Sequence, residues 1–168
     1  VVGLTATVAR GGRADSLGAS AAAMSEWMAE TLGARKTRFV DHSGLGDRSE
    51  SAATDLVRAL VQVGPEGPLR GILKDIEMRD RVGNPIPDSL IKVQAKTGTL
   101  NFVSALSGYM TALDGRELAF AILSADMPRR RALPENDRER PPGARAWTGR
   151  ARRLQLDLIE RWGTLYSV

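Results

Sequence analysis

The sequence predicts an α/β layered fold, equally readable as α+β, in which helices cover an antiparallel sheet. Three observations lead there. Amphipathic helical patterns come first, three strand-like runs follow in close succession, and one more helical pattern closes the chain. The 168 residues suffice for one domain with a core of its own.

The first helix is read in "SLGASAAAMSEWMAETLGA", where Leu17, Ala21, Met24, Met28 and Leu32 recur at helical spacing and Gly33 is placed to end it. Met24, Trp27 and Met28 are core-stripe residues in this reading. "TRFVDHSGLGDRSE" then reads as a short extended piece and a glycine-bearing loop. Ser51 can cap a second helix with Asp55 in its first turns and Leu56, Val57, Leu60 and Val61 on one stripe, and "GPEGP" stops it. "LRGILKDI" reads as a further short helix and "RDRVGNPIPDS" as a turn-rich connection.

The three strand-like runs are "LIKVQAKTGTL", "SALSGYMTAL" and "ELAFAILSA". Asp114-Gly115 joins the last two as a hairpin signal. Leu154, Leu158, Ile159 and Trp162 mark the closing helix, with Trp147 and Trp162 expected to pin it to the sheet. Tyr109 is read as a packing residue.

Composition narrows the function classes. With 42% hydrophobic and 26% charged residues the chain is of globular type, and at 5% aromatics its core must be aliphatic. The net charge of +4 sets 24 basic against 20 acidic residues. Most of the excess lies in residues 128–153, an Arg/Pro-rich stretch read as a solvated loop, so no nucleic-acid partner is expected. The absence of cysteine excludes disulfides and thiolate metal sites, and the single His42 excludes a multi-histidine cage. No metal or cofactor is expected. No stretch approaches the ~20 apolar residues of a membrane span. "VVGLTATVARGG" starts mid-pattern, which reads as the interior of a larger protein.

The chemistry-bearing motif is Lys96-Thr97-Gly98. At a strand edge the ammonium supplies positive charge, the hydroxyl donates to a carboxylate, and the glycine leaves room for a peptide backbone alongside. Strand alternation puts Lys96 and Thr97 on opposite faces, so both serve one ligand only if it lies at the edge. A surface lysine before a glycine turn is the plain alternative. "DHSGLG" does not make a Ser-His-Asp hydrolase, because consecutive residues do not converge as a triad and Asp41 and Leu45 stand where a nucleophile elbow needs glycines. His42 is therefore read as a loop or packing residue, Ser43 as a turn residue and Asp41 as a cap of that turn.

"DHSGLGDRSESAATDLVRALVQ" followed by "QAKTGTLNFVSALSGYMTALDGRELAFAILSA" resembles the C-terminal part of the D-alanyl-D-alanine carboxypeptidase/endopeptidase family, the class C low-molecular-mass penicillin-binding proteins. The likeness runs over nearly all of residues 1 to 125. It implies a penicillin-binding, serine β-lactamase-like transpeptidase fold, with residues 1–168 as its C-terminal part. The nucleophile-bearing S-x-x-K segment and S-x-N would lie in a preceding portion of the same protein. "SLIK", residues 89–92, fits S-x-x-K by letters but runs straight into the strand, so Ser89 is rejected as nucleophile.

By the resemblance, Lys96 sustains the positive field of the site, Thr97 holds the carboxylate of a terminal D-alanine or of a β-lactam, and Gly98 keeps the edge open. Thr99 offers its backbone N–H to an oxyanion hole. Leu45, Leu100 and Asn101 are the substrate-side residues. The family's Ser-Arg-Asp-Asn is replaced here by Gly46-Asp47-Arg48-Ser49, so side-chain preference does not carry over. The activity implied is serine-type hydrolysis of D-Ala-D-Ala peptides in the periplasm, with peptidoglycan stems and β-lactams as partners. A noncatalytic peptidoglycan-binding relative is the second expectation.

Overall fold

The computed structural model describes residues 7–8, 11–12, 15–44, 48–134 and 141–167. They fall into two compact units, residues 1–62 and 63–168. Leu45, with Gly46 and Asp47, lies outside the described residues, as does most of the opening "VVGLTATVARGG".

In the first unit, helix α1 spans Leu17–Leu32. Ser16 caps it by accepting from the Ala19 N–H at 3.0 Å, and Gly33, at φ 65°, ends it in the left-handed conformation that lacks a Cβ penalty. Ala21 and Leu32 of the expected stripe are buried, Met24, Trp27 and Met28 are half-buried, and Leu17 is exposed. The extended piece after it is a single bridge, Arg38 with Glu50, rather than a strand. Helix α2 spans Ala53–Val63. Ser51 precedes it and its hydroxyl meets Thr37 Oγ1 at 3.1 Å instead of capping. Asp55 in the first turn is fully buried and its Oδ2 accepts from the Lys36 N–H and the Thr37 hydroxyl. Leu60 is buried, whereas Val61 lies outside the apolar face.

The second unit is a four-stranded antiparallel sheet with a helix on one face. "LRGILKDI" is not a helix: a single 3-10 turn over Arg70–Ile72 leads into strand β1, Lys74–Asp75. Strands β2, Lys92–Leu100, β3, Val103–Thr111, and β4, Glu117–Ala125, follow in the order β1-β2-β3-β4. Gly115, at φ 86°, closes the expected β3–β4 hairpin.

The stretch 128–153 is not one solvated loop. Helix α3 covers Met127–Arg131, capped by Asp126, and helix α4 covers Ala144–Leu165. Ala144, Ala151, Gln155, Ile159 and Gly163 form the buried stripe of α4. Ile159 packs into a core of Met78, Ile91, Val93, Ala95, Leu106, Met110, Phe120 and Ile122, with Trp162 against it. The approach is close at Gly163, where an added Cβ would stand 2.6 Å from Ile91 Cδ1. It is closer still between β2 and β3, where a Cβ on Gly108 would meet the Gln94 carbonyl oxygen at 2.1 Å.

Candidate active site

The register of β2 sets the geometry. β1 pairs with β2 only at Lys74–Ala95 and Asp75–Gln94, and the Ile76 N–H donates to the Val93 carbonyl at 2.9 Å. Val93 thus aims its main-chain groups at β1. Because these groups alternate sides along a strand, Ala95, Thr97 and Thr99 aim theirs the same way. Past Ala95 there is no β1 left, so Thr97 and Thr99 present N–H and C=O to an edge without a strand partner among the described residues. On its inner side β2 is paired through all nine residues, from Lys92–Thr111 to Leu100–Val103.

Lys96 pairs with Ser107, on the sheet face opposite α4. It is exposed, and its ammonium turns back to the edge, donating to the Thr97 carbonyl at 2.6 Å. Thr97 and Thr99 share the α4 face with Val93 and Ala95 but are exposed where those are buried. A Cβ on Gly98 would stand 3.3 Å from Ala105 Cβ, so the glycine relieves a cross-strand contact as well as lacking a side chain.

A cleft of about 300 Å³ opens beside this edge, between the sheet and α4. Thr97 and Thr99 line it with Asp75, Glu77, Arg79 and Arg152. Arg152 Nη2 donates to Thr99 Oγ1 at 3.3 Å. Arg152 was hidden in the sequence by the charge run around it. The signal that could have exposed it is the spacing Ala144, Ala151, Gln155, Ile159, which makes the segment a helix and puts residue 152 beside its buried face.

Leu100 ends β2 half-buried, and Asn101 and Phe102 make the two-residue turn into β3. Phe102 is buried at φ 59°, a conformation that costs a non-glycine residue roughly 1–2 kcal/mol. Supports hold the turn from several sides. Trp147 of α4 meets the Phe102 ring edge-on at 6.2 Å, Arg129 lies over it, and the Asp126 N–H donates to its carbonyl. Arg130 of α3 donates to the Asn101 carbonyl at 3.2 Å.

Other sequence candidates stand elsewhere. Ser89 donates to the Ile91 carbonyl at 3.1 Å. His42 Nε2 meets Ser20 Oγ at 2.8 Å, and Ser20 is fully buried and also bonded to Thr7, a packing arrangement rather than an accessible nucleophile. The Ser43 N–H and hydroxyl hold the Asp41 carboxyl below its usual range, as a turn residue. Tyr109 is buried, which raises its phenol, with the Arg70 guanidinium 5.8 Å from the ring opposing.

The sequence profile of the D-Ala-D-Ala carboxypeptidase 3 (S13) family matches residues 9–140. The chain belongs to that family. Two solved structures share the fold of this S13 chain. One is the Bd0816 predatory endopeptidase from Bdellovibrio bacteriovorus in complex with immunity protein Bd3460, with TM-score 0.55 and 21% identity over 84% of this chain and 36% of that one. The other is the penicillin G-acylated Bd3459 predatory endopeptidase from the same organism, also with Bd3460, with TM-score 0.54 and 15% identity over 95% of this chain and 44% of that one. The S13 chain therefore spans less than half the length of either. Among curated proteins none matches. The α/β class and the penicillin-binding type of fold expected from the sequence are those of these relatives.

Proposed function

We propose that this S13 chain is the C-terminal part of a serine-type D-Ala-D-Ala carboxypeptidase/endopeptidase and supplies its K-T-G edge. The observation that carries this is the open half of β2, where two outward-facing threonine main chains and the Lys96 ammonium lie along one edge with no strand partner among the described residues. An extended peptide adds to such an edge by main-chain hydrogen bonds. In this reading Thr97 receives the terminal carboxylate, the Thr99 N–H stabilises the oxyanion, and Leu100 and Asn101 face the substrate. Penicillin acylation of a relative with the same fold supports it.

The nucleophilic serine comes from a preceding portion of the full-length protein. Its oxygen attacks the penultimate D-alanine carbonyl, the C–N bond breaks, and D-alanine leaves as the amine. Water then attacks the acyl-enzyme, releasing the shortened peptide and restoring the serine. The substrate is periplasmic peptidoglycan, and β-lactams acylate the same serine.

The test is covalent labelling of the full-length protein by a fluorescent penicillin. Lys96→Ala is expected to lower acylation by roughly 100-fold or more, the range for removing one electrostatic stabiliser from an acyl-transfer site, with little change in Tm. Wild-type protein that takes no label while binding cell wall would instead identify a noncatalytic relative.

A further inference from the structure

The cleft beside the open edge holds a guanidinium with donors to spare. Arg152 makes one bond among the described residues, to Thr99 Oγ1, and no ion pair. Its cationic neighbours are committed. Arg79 is held by Glu77 and the Gly83 carbonyl, and Arg153 by Asp157 and the Asp80 carbonyl. Arg152 is placed by its helix, since Ala151 beside it is buried and Gln155 donates to the buried Ser104 hydroxyl at 3.0 Å. A planar guanidinium with free N–H groups beside two threonine hydroxyls is suited to a carboxylate, which it can grip with two parallel bonds.

The charge of the cleft points the same way. Its ionised lining residues are Asp75, Glu77, Arg79 and Arg152, two of each sign. Without Arg152 the lining carries a net negative charge and repels an anion. Lys96 is not part of this lining and stands on the opposite face of the strand.

We propose that Arg152 is a specificity-determining residue that, with the Thr97 and Thr99 hydroxyls, binds the terminal carboxylate of the peptide or β-lactam. This rests on the reading of the β2 edge given above. The guanidinium selects substrates that end in a free acid over those whose terminus is esterified.

The test compares Arg152→Gln and Arg152→Lys with wild type in the full-length protein, using benzylpenicillin and its methyl ester as acylating probes. Both substitutions are good helix formers at an exposed site, so folding is retained. Loss of a charged hydrogen-bond donor predicts that Arg152→Gln lowers acylation by the acid ~10- to 100-fold and by the ester less than ~2-fold, with Arg152→Lys between the two on the acid. A merely structural role would lower both probes together, and that result overturns the proposal. Acylation of Arg152→Gln by the acid at the wild-type rate overturns it too, leaving the edge assignment intact. Wild-type protein acylated by neither probe overturns the edge assignment and this proposal with it.

Discussion

The two halves of β2 obey the same alternation and differ in their surroundings. From Val93 to Ala95 the strand is hydrogen-bonded on both sides, and Val93 and Ala95 are only 3% and 1% exposed. From Lys96 to Leu100 it has one strand neighbour among the described residues, and on the same face the buried Val and Ala give way to exposed Thr97 and Thr99. Where the covering strand stops, exposed hydroxyls take the place of buried methyl groups and the outward backbone groups have no strand partner among the described residues. A strand continuous in hydrogen bonding on one side is thus divided into a paired and an open segment on the other.

The sharpest way to break this comparison is to remove one main-chain donor from each half. Thr99→Pro deletes an outward N–H, which an edge strand tolerates, and is expected to lower penicillin acylation by ~10²–10³-fold, about 2.7–4 kcal/mol, with little change in Tm. Ala95→Pro deletes a donor that faces β1 and is expected to lower Tm. Equal destabilisation by the two variants, measured by thermal unfolding, would mean that the outer edge is not open.

A smaller effect distinguishes the halves by packing. Gly108→Ala drives a Cβ into the Gln94 carbonyl and must part β2 from β3, costing about 1–3 kcal/mol. Gly98→Ala meets only the Ala105 methyl at 3.3 Å, which can give by a few tenths of an ångström, and is expected to cost less than Gly108→Ala in denaturant titrations.

The smallest effect concerns pH at the turn that follows Arg79. The Asn84 N–H beside Asp80 holds its carboxyl below the ordinary value, against desolvation, and the Asp80 carbonyl accepts from Arg153 of α4. A depressed carboxyl stabilises the fold above its unfolded pKa of about 3.9 and loses that contribution as pH falls through the lower folded value. The Val82 and Asn84 amide resonances are therefore expected to hold their positions down to about pH 4 and shift only below it. A midpoint above the ordinary carboxylate value would contradict the turn.

Much of this was legible in the residues. Ser16 and Gly33 bracket α1 by capping chemistry, and the β3–β4 hairpin follows from Asp114-Gly115. The K-T-G stretch lies in a strand, but that half of its edge is open depends on where β1 ends, and β1 has two residues and no readable period. The beginning of α4 was masked for a different reason. Its buried stripe opens with Ala144, Ala151 and Gln155, small or polar residues whose helical spacing stands out far less than an aliphatic stripe would, while arginines dominate its exposed positions. A helix that seats through small side chains can approach the sheet closely, as Gly163 does, yet looks in sequence like a charged linker.

An edge that accepts a peptide by main-chain hydrogen bonds accepts a second copy of itself by the same bonds. Lys96 on one face of β2 and Arg152 over the other flank that edge with positive charge, and two such edges brought together would oppose like charges in a sheet. The cations proposed to draw in an anionic chain end would thereby also oppose self-association of the exposed strand.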